Sequence, residues 1–205
     1  FAVFTIVSTL GLPPVLGILV AVVICTALGM LIERVAYKPL RNASSPLAVL
    51  ITAIGVSYLL QNVALLIFGA NTKSFTSVVT ISPLKLADGQ LIISGETIVT
   101  IIAGIVIMVC LTLFVHKSKA GQAMLAVSED KGAAQLMGIN VNGTIALTFA
   151  IGSALAAVAG VLLCSAYPSL TPYTGAMPGI KAFVAAVFGG IGSIPGAMIG
   201  GILLG

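Results

Sequence analysis

Long apolar runs separated by short polar breaks organise the whole chain, and this rhythm predicts its elements before any single residue does. The runs at 13–32, 47–68, 97–115 and 144–166 contain no Asp, Glu, Lys or Arg. Each is close to the roughly 20 residues a helix needs to cross a hydrocarbon core about 30 Å thick. Pro13 and Pro14 open the first run, where a missing N–H is harmless. Residues 1–10 form a shorter run, read as the tail of a preceding span or a re-entrant piece. The chain starts at Phe1 and stops inside an apolar run at Leu203-Leu204-Gly205, so the expectation is an internal fragment with further spans at both ends. The predicted class is all-α: one transmembrane helical bundle over residues 1–205, with a short cytoplasmic helix.

The polar breaks differ from one another. The first, 33–46, runs from Glu33-Arg34 through Lys38-Pro39-Leu40-Arg41 to Ser45-Pro46. The second, 69–96, is rich in Ser and Thr. It holds β-prone runs at 77–81 and 90–94 around Asp88-Gly89, a turn signal that predicts a small hairpin. The third, 116–143, contains Ser128-Glu129-Asp130-Lys131, the densest group of charges in the sequence. The last apolar region begins near Met177 and is broken by Gly189-Gly190-Ile191-Gly192-Ser193-Ile194-Pro195-Gly196, which a continuous helix carries only at a cost. Two readings stay open there. One is a broken helix lining a wet cavity at membrane depth; the other is a tight turn between two helices at the surface. In the fourth run, Gly152, Ser153, Ala154, Ala156, Ala157, Ala159 and Gly160 predict close helix packing. Gly152 and Gly160, eight apart, lie close to one helical face, which is expected to pack against another helix in this chain or in a second copy.

Composition sharpens this picture. Apolar residues make up 59% of the chain, charged residues 7%, and mean hydropathy is +1.23, more apolar surface than a soluble domain of this size can hide. The net charge of +4 does not signal nucleic acid, because bases at span ends are what membrane topology requires. Breaks 33–46 and 116–143 lie on one side and carry three Lys or Arg each, the latter with His116. The opposite side has Lys73 and Lys85 in a longer break, and Lys181. The positive-inside rule places the two denser breaks in the cytoplasm.

Chemistry is sparse. Cys25, Cys110 and Cys164 lie inside apolar runs without metal-ligand spacing and behave as small hydrophobes. His116 is the only histidine and sits beside Lys117 and Lys119 at a span end. Glu129 and Asp130 are adjacent, so they face different ways on a helix. The glycine run at 189–196 lacks the Lys of a phosphate loop. No catalytic, metal or cofactor constellation is therefore expected, and any ATP is hydrolysed by another polypeptide. Thr52, Ser57, Gln61 and Asn62 are polar positions in the second run, with Ser57 and Gln61 on one face. With Lys181, a cation at the start of the last region, Thr52, Ser57 and Gln61 are candidates for a translocation path. Helix–helix hydrogen bonding and snorkelling to the interface are the competing explanations.

The charged break holds the main candidate site. Helix formers run from Ala123 to Met137, acids at Glu129 and Asp130 suit the start of a short helix at 131–137, and Gly138 suits its end. Leu136, Met137 and Ile139 then form an apolar tip rimmed by charge, the signature of a protein partner. The pattern Asp130, Ala133, Ala134, Gly138, Ile139 resembles the EAA-type coupling segment of bacterial ABC importer permeases, though it lacks a Glu followed directly by Ala-Ala. Four collinear blocks further resemble the permeases for branched-chain amino acids. They are Glu33-Arg34-Val35-Ala36-Tyr37-Lys38-Pro39-Leu40-Arg41, Leu50-Ile51-Thr52-Ala53-Ile54-Gly55-Val56-Ser57, Met137-Gly138-Ile139-Asn140 with 145–152, and Lys181-Ala182-Phe183 with 189–198. The resemblance implies a multi-pass bacterial inner-membrane subunit importing leucine, isoleucine or valine. It also implies a related second permease, two ATP-binding subunits and a periplasmic substrate-binding protein. Glu129, Asp130, Ala133, Ala134, Gly138 and Ile139 would then couple to the ATPase. Urea or short amides are the nearest alternative cargo and a simple sugar a more distant one. A channel, an ion-coupled transporter or a purely structural subunit are alternatives of other classes.

Overall fold

The computed structural model describes residues 1–10, 14–42, 46–74, 84–86, 91–93 and 95–205. Among them, four helices are long and apolar enough to cross a membrane, as the run pattern predicts. The chain forms two compact units, Phe1–Val78 with Asn140–Pro172, and Val79–Ile139 with Tyr173–Gly205.

The first unit holds α1 (Ala2–Leu10), α2 (Pro14–Ile32), α3 (Pro46–Phe68) and α7 (Val141–Ala166). The apolar residues of α2 and α3 surround the helix rather than forming a stripe, as expected where lipid or another helix meets every face. Helix α2 runs antiparallel along α7, and their seam is close. A Cβ on Gly29 would strike the Ser153 side chain, and Ala157, Val161 and Ser165 follow Ser153 along the same buried face of α7. Val3, Ala21, Val161 and Leu170 form the buried cluster, with α1 packed on it through Phe1, Ala2 and Phe4. Thus α1 is a packed element, while Gly152 and Gly160 do not pack against the described residues of this chain, which leaves the second-copy alternative standing. Both look onto open space, because the stripe chosen by α2 lies one residue round the helix.

Strands β1 (Lys73–Ser74) and β4 (Ser169–Leu170) pair antiparallel, tying the segment after α3 to the segment after α7. Leu170 thereby enters the buried cluster. Phe1 stacks on Phe68 at 4.3 Å, and Lys73 Nζ lies 5.3 Å above the Phe4 ring.

In the second unit, β2 (Leu84–Leu86) pairs antiparallel with β3 (Leu91–Ile93). The hairpin exists, but its first strand is 84–86; residues 77–81 and the turn at 87–90 lie outside the described residues. Helix α4 (Gly95–Lys117) leads through Ser118 into α5 (Lys119–Glu129) and α6 (Lys131–Leu136). Helices α8 (Ala176–Phe188) and α9 (Ile194–Leu204) make an antiparallel hairpin. A Cβ on Gly189 would strike Gly196, and one turn further along a Cβ on Gly200 would meet the Ala185 carbonyl. Gly190 and Gly192 carry the turn at φ +91° and +101°, a region non-glycine residues rarely enter. Ser193 then caps α9 by accepting the Gly196 N–H at 3.1 Å. The glycine run is a tight turn between two helices, each shorter than the roughly 20 residues of a full span, a geometry that fits a helix broken at membrane depth as well as a turn at the surface.

Candidate functional site

The corner leading into the candidate coupling segment is set by Ser118. Its Oγ accepts the Gly121 N–H at 2.9 Å and caps α5. Gly121 lies so close to the Phe114 and Val115 backbone that a Cβ would collide with it. Helix α5 therefore starts at Lys119, four residues before the expected start, because Ser118 is a preferred N-cap residue whose oxygen accepts an N–H of the first turn.

Helix α5 ends at Asp130, where the backbone is extended at φ −148° and ψ 113°. Asp130 Oδ1 accepts the N–H groups of Gly132 at 2.7 Å and Ala133 at 3.1 Å. One residue thus ends α5 and caps α6, satisfying donors that the first turn leaves orphaned. At the other end Gly138 has φ +81°. Its N–H donates to the Gln135 carbonyl and that of Ile139 to the Ala134 carbonyl, both at 3.0 Å. This paired arrangement closes a helix when a left-handed residue follows it. Asn140 then caps α7, its Oδ1 accepting the Gly143 N–H at 3.0 Å.

The two caps hold a one-and-a-half-turn helix whose end is bare. Leu136 is 91% exposed and Met137 82%, while Ile139 is half-buried, so the apolar tip is made by the first two. Glu129, Asp130 and Ala133 are exposed, whereas Ala134 is only 4% exposed. The alanine pair is therefore divided, with Ala133 facing outward and Ala134 buried in the chain's own fold.

The candidate path residues are not gathered into one stripe. Gln61 Nε2 donates to Ser57 Oγ at 3.4 Å, which places those two together on α3. Thr52 lies about 180° around the helix from Gln61, at 100° per residue. Its hydroxyl donates to the Ala48 carbonyl at 2.8 Å, and Asn62 Nδ2 donates to the Tyr58 carbonyl at 2.8 Å. These polar groups are satisfied on their own helix rather than by a neighbour. Lys181 belongs to the second unit, on α8, with its side chain exposed.

A further feature falls where the sequence reading placed a loop. Residues Glu33–Tyr37 continue α2 as a π-helical turn, closed by the Lys38 N–H donating to the Glu33 carbonyl at 2.8 Å. A 3-10 turn, Pro39–Asn42, follows. Glu33 is 4% exposed. With Arg34, Lys38, Asn142 and Ala146 it lines a polar pocket of about 170 Å³ between the end of α2 and the start of α7. Tyr37 meets Phe149 of α7 with ring centroids 4.9 Å apart. The signal available in the sequence was an acid directly after the apolar run, at a helix C-terminus where the macrodipole favours bases.

The chain is 48% identical over 199 residues to a Salmonella typhimurium protein, the high-affinity branched-chain amino acid transport system permease protein LivH. That alignment covers 92% of this chain and 62% of LivH. It is 43% identical over 215 residues to the corresponding Pseudomonas aeruginosa permease protein BraD, covering all of this chain and 69% of BraD. A fructose import permease protein, FrcC of Rhizobium meliloti, is 32% identical over 107 residues, covering 49% of this chain and 30% of FrcC. The chain thus spans less than two thirds of the length of LivH. No solved structure matches it. A protein-family model described as the permease component of branched-chain amino acid transport systems matches residues 1–205, and with its apolar helices the chain belongs to that family of membrane permeases.

Proposed function

We propose that this chain is part of the membrane-spanning subunit of an ABC importer that carries branched-chain amino acids inward across the bacterial plasma membrane. Residues 1–205 are read as belonging to a single permease transmembrane domain. The assembly would include a second related permease, two ATP-binding subunits that perform the hydrolysis, and a periplasmic substrate-binding protein. The observation that carries this reading is the capped helix α6 with its bare Leu136 and Met137 tip, in a chain matched along its whole length by the family. A short helix fixed at both ends and apolar at its tip suits docking into a groove on a partner. Glu129, Asp130, Ala133, Gly138 and Ile139 would set its shape and rim, and Ala134 would seat it on this chain. Ser57 and Gln61 remain the candidates for a polar path, with Thr52 and Lys181 as separate positions.

The test is ATP-dependent uptake of labelled leucine by vesicles holding the full-length protein and its partner subunits, with excess unlabelled urea as competitor. Leucine uptake indifferent to urea is the expected result. An intact complex that moves no leucine would overturn the cargo and redirect the search to urea or a short amide.

A further inference from the structure

We infer that Glu33 is a positioning residue for coupling: it locks the end of α2 onto the first turns of α7, so that displacement of the coupling segment moves both helices as one body. This rests on the importer reading above. The inference begins with burial. A carboxylate that is 4% exposed stays in a fold only when neighbours satisfy it, and removing one side of such an arrangement is strongly unfavourable. Among the described residues no buried side-chain nitrogen or oxygen lacks a hydrogen-bond partner.

The second observation is position. The coupling segment ends in the Gly138 turn, and Asn140 caps α7 immediately afterwards. Thr144 and Thr148 hydroxyls donate to the Asn140 and Thr144 carbonyls at 3.0 and 2.9 Å, so these polar groups are satisfied within this first stretch of α7. Asn142 and Ala146, on that stretch, form one wall of the Glu33 pocket, and Phe149 meets Tyr37. Whatever shifts residues 136–139 therefore pulls covalently on the helix end that faces Glu33.

The third observation is the form of the α2 end. The π-helical turn at Glu33–Tyr37 is a rare geometry, found mostly as single turns and often at functional sites. Here it brings Glu33, Arg34 and Lys38 to one pocket. Further along, the Gly29 and Ser153 seam allows no slack between the helices. The Tyr37–Phe149 contact beside Glu33 and the seam at Gly29 hold α2 to α7 at two levels, and a two-level attachment resists both sliding and rotation.

The experiment uses the full assembled complex in lipid nanodiscs, carrying nitroxide labels at the exposed positions Val35 and Leu147. In the unmodified complex the label-to-label distance should be the same with and without ATP. Glu33→Ala should broaden that distance and lower leucine transported per ATP hydrolysed by about tenfold, within the range of ordinary coupling energies, while hydrolysis itself continues. Glu33→Gln, which keeps the shape and part of the hydrogen bonding, should fall between the two. If Glu33→Ala yields no complex, the Glu33→Gln measurements decide. Normal transport per ATP and an unbroadened distance in the tested variant would overturn the inference, as would an ATP-driven distance change in the unmodified complex. Failure of the unmodified complex to import leucine would instead sink the importer reading.

Discussion

Asp130 and Gly138 illustrate what a single residue can settle. Asp130 supplies an oxygen to two orphan N–H groups, a cap whose loss costs about 1 kcal/mol. Gly138 sits at φ +81°, where an L side chain costs roughly 1–2 kcal/mol. Asp130→Ala and Gly138→Ala should therefore speed amide hydrogen exchange across 131–139 in the full complex. Leu136→Asp should not, because that side chain is 91% exposed, yet it should abolish co-purification of the ATP-binding subunit. Retention of that subunit by Leu136→Asp would remove the tip from the docking surface. The ends of α6 were legible in the sequence because its start and stop signals are local, whereas the Ser118 and Asn140 caps, equally local, were not read. The division of Ala133 from Ala134 was not legible, since it depends on what the helix lies against. Glu33 was hidden for the same reason, its burial depending on how the end of α2 packs in the fold.

At the scale of elements, helix runs and the glycine turn were legible because hydropathy and backbone freedom are properties of the run itself. The choice of packing face was not. Helix α7 carries two small-residue stripes, Gly152, Ala156 and Gly160 beside Ser153, Ala157 and Val161, and nothing local distinguishes them. Only Gly29 on α2, opposite Ser153, selects the second. Gly29→Val should thus lower the thermal unfolding midpoint, the overpacking being worth about 1–3 kcal/mol, while Gly152→Val leaves the isolated subunit's midpoint unchanged. Equal effects of the two would mean the seam runs elsewhere. The pairing of β1 with β4 was equally invisible, since two-residue strands so far apart in sequence leave no periodic trace. The hairpin of α8 and α9 makes a matching demand. Gly196→Ala would push a methyl into the Gly189 carbonyl, so it should destabilise the subunit more than Gly179→Ala, where a Cβ meets open space.

For the whole molecule, the spans fix a topology that charge alone orients. Helices α3 and α4 both have the length and composition to cross a membrane; on the proposed reading both cross, which predicts that Asn71, after α3, lies opposite the segments that flank the pair. The flanking segments hold Arg34, Lys38 and Arg41 before α3, and Lys117, Lys119 and Lys131 after α4. Lys and Arg close to span ends hold loops in the cytoplasm, and the coupling reading independently needs α6 there, beside the ATP-binding subunits. These two arguments share no premise, which makes the topology a strong test of both. With Cys25, Cys110 and Cys164 replaced by Ala, Lys131→Cys should react with an impermeant maleimide only in inside-out vesicles, and Asn71→Cys only in right-side-out cells. The reverse pattern would leave the span count standing but put α6 on the wrong face for ATP-driven coupling. Labelling of both positions from one side would mean that the pair α3 and α4 does not cross as two spans. In that case the charge argument, which counts those crossings, would fall, and the coupling argument would stand only if Lys131→Cys is the position labelled from inside.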